Sequence, residues 1–77
     1  MTNNNNYMDK DWKKILGEQI RARRQNLDMT QTELSEATGI DRANISKIEG
    51  GRYNVSVDII GRIAEVLRCE IRLEPAD

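Results

Sequence analysis

The chain has 77 residues, no histidine, one cysteine and a formal net charge of −1 at pH 7. The absence of histidine excludes His-based triads, imidazole acid–base catalysis and most zinc sites. One cysteine cannot close an internal disulfide, which fits a cytoplasmic protein, and no apolar run approaches the ~20 residues that cross a bilayer. We therefore expect one small domain that is not an enzyme and has no cofactor, membrane contact or small-molecule substrate.

The amino-terminal segment, residues 1–8, is polar and low in complexity, which predicts a disordered leader. A helix is predicted from about Asp11, and its apolar residues share one side: Leu16, Ile20 and Leu27, with Trp12 and Ile15 nearby. The break after this helix falls at Asp28 and Met29. We expect the folded domain to span residues 9–68.

The second helix is predicted to begin at Thr30, because TQTE is a capping box: the Thr30 hydroxyl serves the Glu33 amide and Glu33 reaches back. Leu34 and Ala37 are expected to form its buried side, and Gly39 is expected to end it. So short a helix cannot fold alone, and it must pack against its neighbours.

The third helix is predicted to begin after Asp41, whose side chain suits the capping position. Ile45 and Ile48 are expected to point inward, and Gly50 and Gly51 to stop the helix. With those positions facing in, the polar residues between them must face out.

A polar loop at residues 52–54 leads to Ser56, which is predicted to cap the fourth helix. The apolar residues of this helix recur at helical spacing: Val57, Ile60, Ile63, Ala64 and Leu67. Gly61 lies inside the helix and is expected to permit close packing, since glycine there costs about 1 kcal/mol relative to alanine.

Residues 69–77 are predicted to form a dimerisation strand and tail. Apolar and charged residues alternate, as in a strand: Cys69, Glu70, Ile71, Arg72 and Leu73. A lone strand has no partner in its own chain, so we expect it to pair with a second copy about a two-fold axis. The lone cysteine is expected to be packed rather than reactive.

Charge selects the register of this pairing. With Ile71 on the axis, Glu70 faces Arg72 of the other copy and Arg68 faces Glu74. Shifting the axis by one residue either way opposes like charges, which costs a few tenths to ~1 kcal/mol per pair. The sequence therefore predicts an antiparallel homodimer centred on Ile71.

The stretch TQTELSEATGIDRANISKIEGGR has two short helical patterns joined by a turn with a central glycine, the pattern of a helix-turn-helix. With IRARRQNLDM before it and NVSVDIIGRIAEVL after the following loop, it resembles the XRE-type family of phage Cro and repressor proteins, over about Leu16 to Leu67. The resemblance implies an all-α, compact, lambda-repressor-like domain of four to five helices. The predicted carboxy-terminal β-strand is added to that fold.

Three residues depart from the pattern of that family. Ser35 stands in place of the usual alanine, Asp28 where glycine is frequent, and Val55 in place of the usual proline. None of the three lies on the expected reading face.

The resemblance implies that the exposed face of the third helix reads bases in the major groove. The candidate base-contacting residues are Arg42, Ala43, Asn44 and Lys47, although Asn44 could instead turn toward the backbone. The candidate phosphate-contacting residues are Thr30, Gln31, Ser46, Arg52 and Tyr53. Asp41 could accept a hydrogen bond from cytosine N4, but its capping role already explains this residue.

The family also commonly buries an ion pair, which here would join Arg24 and Glu49; the alternative is that each is a solvated surface charge. The end of the fourth helix with the strand is similar to HipB-type antitoxins. The sequence thus predicts a transcriptional regulator that binds a palindromic operator in double-stranded DNA as a homodimer, and the family resemblance implies that it is a repressor. The alternative is an antitoxin that binds a toxin protein and its own operator.

Overall fold

The structure is a computed structural model that describes residues 10–76; the predicted leader at residues 1–8 lies outside the described residues. Within that part of the chain there are four helices: α1 (Trp12–Asn26), α2 (Gln31–Thr38), α3 (Arg42–Glu49) and α4 (Val57–Val66). The all-helical prediction is confirmed for this region, in which no strand occurs.

Each described helix begins after a residue whose side-chain oxygen accepts a hydrogen bond from a backbone amide of the first turn. Asp11 serves α1, Asp41 serves α3 and Ser56 serves α4. At α2 the predicted capping box is complete, because Thr30 accepts from the Glu33 amide and Glu33 accepts from the Thr30 amide. These caps confirm the predicted starts of the second, third and fourth helices.

Three helices end in the same hydrogen-bond arrangement, in which a left-handed residue follows the cap and the next amide reaches back across the last turn. The left-handed residues are Asp28 (φ 55°) after α1, Gly51 (φ 73°) after α3 and Arg68 (φ 58°) after α4. The bonds of Met29 to Arg24, Arg52 to Lys47 and Cys69 to Ala64 close these turns. Asp28 thus occupies a conformation that glycine adopts without strain, which is a physical reason for the glycine that the resemblance leads us to expect at this position.

The core is aliphatic and draws on every described helix. Its buried residues are Ile20, Leu34, Ile40, Ile45, Ile48, Ile63 and Leu67. The prediction of a buried side chain is wrong at three positions. Leu27 is 36% exposed, Val57 is 77% exposed, and Ala37 is exposed as well. On α2 the buried partner of Leu34 is Thr38, four residues along, whose hydroxyl is satisfied by donating to the Leu34 carbonyl at 2.7 Å.

The helix α1 packs on the end of α3 with almost no space between the two backbones. A Cβ atom added at Gly17 would collide with the carbonyl oxygen of Ile48 and lie 2.6 Å from that of Glu49. At Gly51, a Cβ would lie 2.7 Å from the Cα of Lys14. Gly61 differs, since a Cβ there would meet no atom within 4 Å. The expectation that Gly61 permits close packing within the chain is therefore wrong.

The carboxy-terminal segment leaves α4 without regular secondary structure. Residues 69–76 are all exposed, with Ile71 at 56% and Leu73 at 100%. Cys69 is exposed and not packed as expected, with its Sγ 3.5 Å from the Leu67 carbonyl oxygen. Because a strand requires a second strand to pair with, the predicted strand at residues 69–73 stays a prediction.

Candidate nucleic-acid interface

The helix α3 has one buried and one open side. Ile45, Ile48 and Glu49 are buried, while Arg42, Ala43 and Lys47 are exposed. Asn44 and Ser46 lie between the two sides and are half-buried, so they offer less surface than the other candidates. The side chain of Asp41 is engaged as the helix cap, accepting from the Ala43 amide at 3.1 Å. A single open face carrying two cations is thus available to a partner.

Below this face, the predicted pair Arg24 and Glu49 is brought together in the interior. The Arg24 guanidinium donates through Nε to Oε2 of Glu49 at 2.6 Å and through Nη2 to Oε1 at 2.9 Å. Its Nη1 donates to the Met29 carbonyl oxygen at 2.7 Å. Glu49 is 1% exposed, so its carboxylate is buried away from water. The bidentate pair with Arg24 therefore joins α1 to α3 inside the protein.

Burial alone would raise the pKa of Glu49, because it removes the charged form from water. Hydrogen bonds from Arg24 and Gln31, the charge of Arg24 and a further bond from Arg21 outweigh burial and lower that pKa below its ordinary value. The hydrogen bond to Glu49 likewise raises the pKa of Arg24, against the opposing effect of burial. Glu49 is thus held as a carboxylate, and it places no exposed negative charge on the open face of α3.

The side chain of Gln31 links the buried pair to the open face. Its Nε2 donates to Oε1 of Glu49 at 3.0 Å, and its Oε1 accepts from Nη1 of Arg42 at 3.5 Å. A glutamine amide has two N–H donors, so one remains for an external acceptor after the bond to Glu49. Sequence reasoning gave Gln31 only a phosphate contact and missed both of these internal bonds.

The remaining candidate phosphate contacts lie at the start of α2 and in the loop after α3. Thr30 uses its oxygen as an acceptor in the capping box, which leaves its hydroxyl proton to donate. Arg52 is exposed, and its guanidinium lies over Gly50, with Nε 3.3 Å from the position a Cβ would take. Tyr53 is 40% exposed and lines a small cleft with Trp12. The candidates therefore lie at two places, the amino-terminal end of α2 and the loop that follows α3.

Two further side chains join α1 to distant parts of the chain, and sequence reasoning missed both. Arg23 donates through Nε to the Leu67 carbonyl oxygen at 2.9 Å, which satisfies the end of α4. Arg21 donates through Nε to Oε1 of Glu49 at 3.5 Å. Both arginines occupy the polar positions of an amphipathic helix, where periodicity predicts solvent and cannot indicate a partner.

A model of the family described as helix-turn-helix matches residues 20–73, well over half of the chain. The chain belongs to the helix-turn-helix family. The match includes α2 and α3 together with their open face, and it confirms the resemblance to Cro- and repressor-type proteins. The predicted boundaries of the leader, domain and tail stay predictions.

Relatives of this helix-turn-helix protein occur in phages and archaea. A 10 kDa protein of the ImmF control region of Bacillus phage phi105 is 36% identical over 60 residues, which cover 78% of this chain and 67% of that protein. An uncharacterized HTH-type transcriptional regulator of Methanothermobacter thermautotrophicus is 44% identical over 48 residues, 62% of this chain and 70% of the relative.

A solved structure is also similar to this helix-turn-helix protein. The restriction-modification controller protein C.AhdI from Aeromonas hydrophila superposes with a TM-score of 0.70 at 31% identity, covering 71% of this chain and 83% of that one. The relatives are regulators and controllers and not enzymes, which confirms the prediction of a DNA-binding regulator. Within residues 10–76, none of the helices is long and apolar enough to cross a membrane.

Proposed function

We propose that this helix-turn-helix protein is a repressor that binds a palindromic operator as a homodimer and reads the major groove with α3. The observation that carries the proposal is the open face of α3, where Arg42 and Lys47 are exposed and Glu49 is turned inward. A protein with a net charge of −1 needs such local segregation of charge to bind a polyanion.

Within this proposal the candidate contact residues divide into two roles. Arg42, in the first turn of α3, suits the O6 and N7 acceptors of guanine, and Lys47 can reach an acceptor one turn further. Ala43 offers a methyl group to thymine, and Asn44 is the weaker base contact because it is half-buried. The phosphate contacts are Thr30, Gln31, Ser46, Arg52 and Tyr53.

The substitution Arg42→Ala tests the reading face. Operator sequences are first selected from random duplexes with the wild-type protein, and binding is then measured by fluorescence anisotropy. In each half-site we expect a loss of about 1–3 kcal/mol in binding free energy and relaxed preference at one base pair. Arg62→Ala removes an exposed arginine from α4 and serves as the matched control. Wild-type affinity and preference in Arg42→Ala would show that the reading face is misassigned.

The second copy is proposed to pair through residues 69–73, and the exposed apolar side chains there support it. Ile71 and Leu73 are uncovered, and the tail flanks an open apolar groove of about 520 Å³ that α4 also lines. Val57, on that helix, is 77% exposed. Apolar surface left uncovered at one end of a small domain is the usual sign of a protein partner.

The register of the strand pair is proposed to place Ile71 on the two-fold axis, with Glu70 facing Arg72. Within one chain, Nε of Arg72 lies 3.8 Å from a carboxylate oxygen of Glu74, and both side chains are exposed. Such an ion pair is weak, so Arg72 can leave Glu74 and pair with Glu70 of the second copy. Arg68 has φ 58° and lies outside the extended segment, so the Glu70–Arg72 pair is the one that selects the register. The dimer would set two α3 helices about 34 Å apart along one DNA face.

The substitution Ile71→Lys tests the dimer, because it would bring two like charges together on the axis. We expect monomers by analytical ultracentrifugation and weaker operator binding. Ala37→Lys adds the same charge at an exposed helical position of α2 and is the control. An Ile71→Lys protein that still dimerises and binds the operator normally eliminates the strand interface.

The same uncovered apolar tail supports a second candidate function, an antitoxin that sequesters a toxin protein. Co-expression with the neighbouring reading frame, followed by purification on tagged helix-turn-helix protein, separates the two candidates. A stable second protein whose activity is blocked by this chain supports the antitoxin. A homodimer alone on the operator supports the simple repressor.

A further inference from the structure

Arg21 of α1 lies beside Gln31 at the start of α2, because both side chains donate to one oxygen of Glu49. Nε of Arg21 is 3.5 Å and Nε2 of Gln31 is 3.0 Å from Oε1 of that carboxylate. The Arg21 side chain is 47% exposed, whereas the Glu49 side chain is 0% exposed. A solvent-accessible cation of α1 is therefore fixed next to a residue of the proposed DNA interface.

The positive charge of Arg21 is not neutralised at this position. Arg24 already engages both oxygens of Glu49, at 2.6 and 2.9 Å, so one carboxylate faces two guanidinium groups. In the described part of the chain, no other carboxylate pairs with Arg21, and its two terminal nitrogens have no hydrogen-bond partner. The cluster keeps a surplus of one positive charge, carried by the member that reaches solvent.

Arg21 also extends the contact between Gln31 and Arg42. Nη1 of Arg42 is 3.5 Å from Oε1 of Gln31, so Arg21, Gln31 and Arg42 form a continuous row of polar side chains from α1 to the first turn of α3. We call these three residues the polar row. A DNA strand that contacts Gln31 would therefore also pass close to Arg21.

We infer that Arg21 binds a DNA backbone phosphate beside Gln31 and that Glu49 is the positioning residue that holds both side chains toward it. The inference rests on the proposed function and adds α1 to the interface. The free terminal nitrogens of Arg21 match two phosphate oxygens, while the spare N–H of Gln31 can donate to the same group.

The test compares the salt dependence of operator binding by wild type, Arg21→Gln, Arg21→Lys and the control Arg62→Gln. The homodimer would lose one phosphate contact in each half-site, so the slope of log affinity against log salt should become shallower by about 1.8 and binding should weaken roughly a hundredfold for all duplexes alike. Arg21→Lys keeps the charge and should restore the slope. Arg62→Gln removes an exposed charge from α4 and should leave the slope unchanged.

Thermal unfolding of the same four proteins separates binding from folding, because a purely structural Arg21 would shift the melting temperature without changing the slope. Arg52→Gln is measured in parallel as a proposed phosphate contact. A wild-type slope in Arg21→Gln, beside a shallower slope in Arg52→Gln, overturns this inference alone. A wild-type protein that binds no duplex overturns the proposed function and the inference with it.

Discussion

The two ends of the domain differ in how completely one chain covers them. Where α1 meets α3, backbones touch at Gly17 and Gly51, and the bidentate pair of Arg24 and Glu49 closes the contact. Around α4 and the tail, Gly61 has open space beside it and Ile71 is 56% exposed. One chain is thus sufficient to fix the proposed DNA-binding end, whereas the other end keeps apolar side chains uncovered, which is where the proposed second copy would pack.

The largest expected effect comes from a substitution at the contact between α1 and α3. Glu49→Ala removes the carboxylate and leaves Arg24 buried without a counter-charge, which should lower the free energy of unfolding by about 3–5 kcal/mol. Urea denaturation followed by circular dichroism measures this loss. Glu65→Ala, at an exposed position of α4, is the control and should change stability little. A small loss at Glu49 would mean that the pair contributes little beyond its own desolvation.

The same residue predicts how stability depends on pH. The pKa of Glu49 is lower in the folded than in the unfolded chain, so its contribution is present above the unfolded value and is lost as pH falls through the folded value. The stability difference between wild type and Glu49→Gln should therefore shrink below about pH 4.3. Urea unfolding at a series of pH values measures it. A stability difference that stays constant with pH would contradict a Glu49 pKa that is lower in the folded chain than in the unfolded chain.

Alanine substitutions at two glycines compare how tightly the two ends are packed. Gly17→Ala should destabilise by about 3 kcal/mol, because its Cβ would press on the Ile48 and Glu49 carbonyls and force the helices apart. Gly61→Ala meets nothing within 4 Å and should stabilise the monomer by about 0.5–1 kcal/mol through helix propensity. Thermal melts at low protein concentration measure both. Equal effects of the two substitutions would mean that the ends do not differ in packing.

The smallest expected effect comes from the two left-handed residues that end α1 and α4. Glycine relieves the strain at φ 55° and 58° but costs entropy, so Asp28→Gly should stabilise by about 0.5 kcal/mol. Arg68→Gly should stabilise less, because the residues after it are all exposed and fix that turn weakly. Precise chemical denaturation measures the difference. A larger gain at Arg68 would indicate that the tail is well anchored in the single chain.

Sequence reasoning succeeded where the signal is local. The capping box of Thr30 and Glu33 spans four residues, and Ile45 and Ile48 lie one helical turn apart, so both could be predicted from spacing. Ala37 was predicted to be buried, but it is exposed. Leu34 is the one large apolar residue of this short helix, and one such residue does not determine how the helix is rotated about its axis. The buried side follows Leu34 to Thr38 instead, and a threonine can be buried there because its hydroxyl bonds to the preceding turn.

The sequence by itself determined the helix-turn-helix, its caps and the open face of α3, because these depend on neighbours within a turn or two. Only the tertiary structure decided that Gln31 donates to Glu49, that Arg21 shares its oxygen, and that Gly17 lets α1 reach α3. Arg21 and Glu49 are 28 residues apart, and periodicity carries no information over that separation. Such contacts exist only once the core has set the helices side by side, since packing fixes which polar side chains meet.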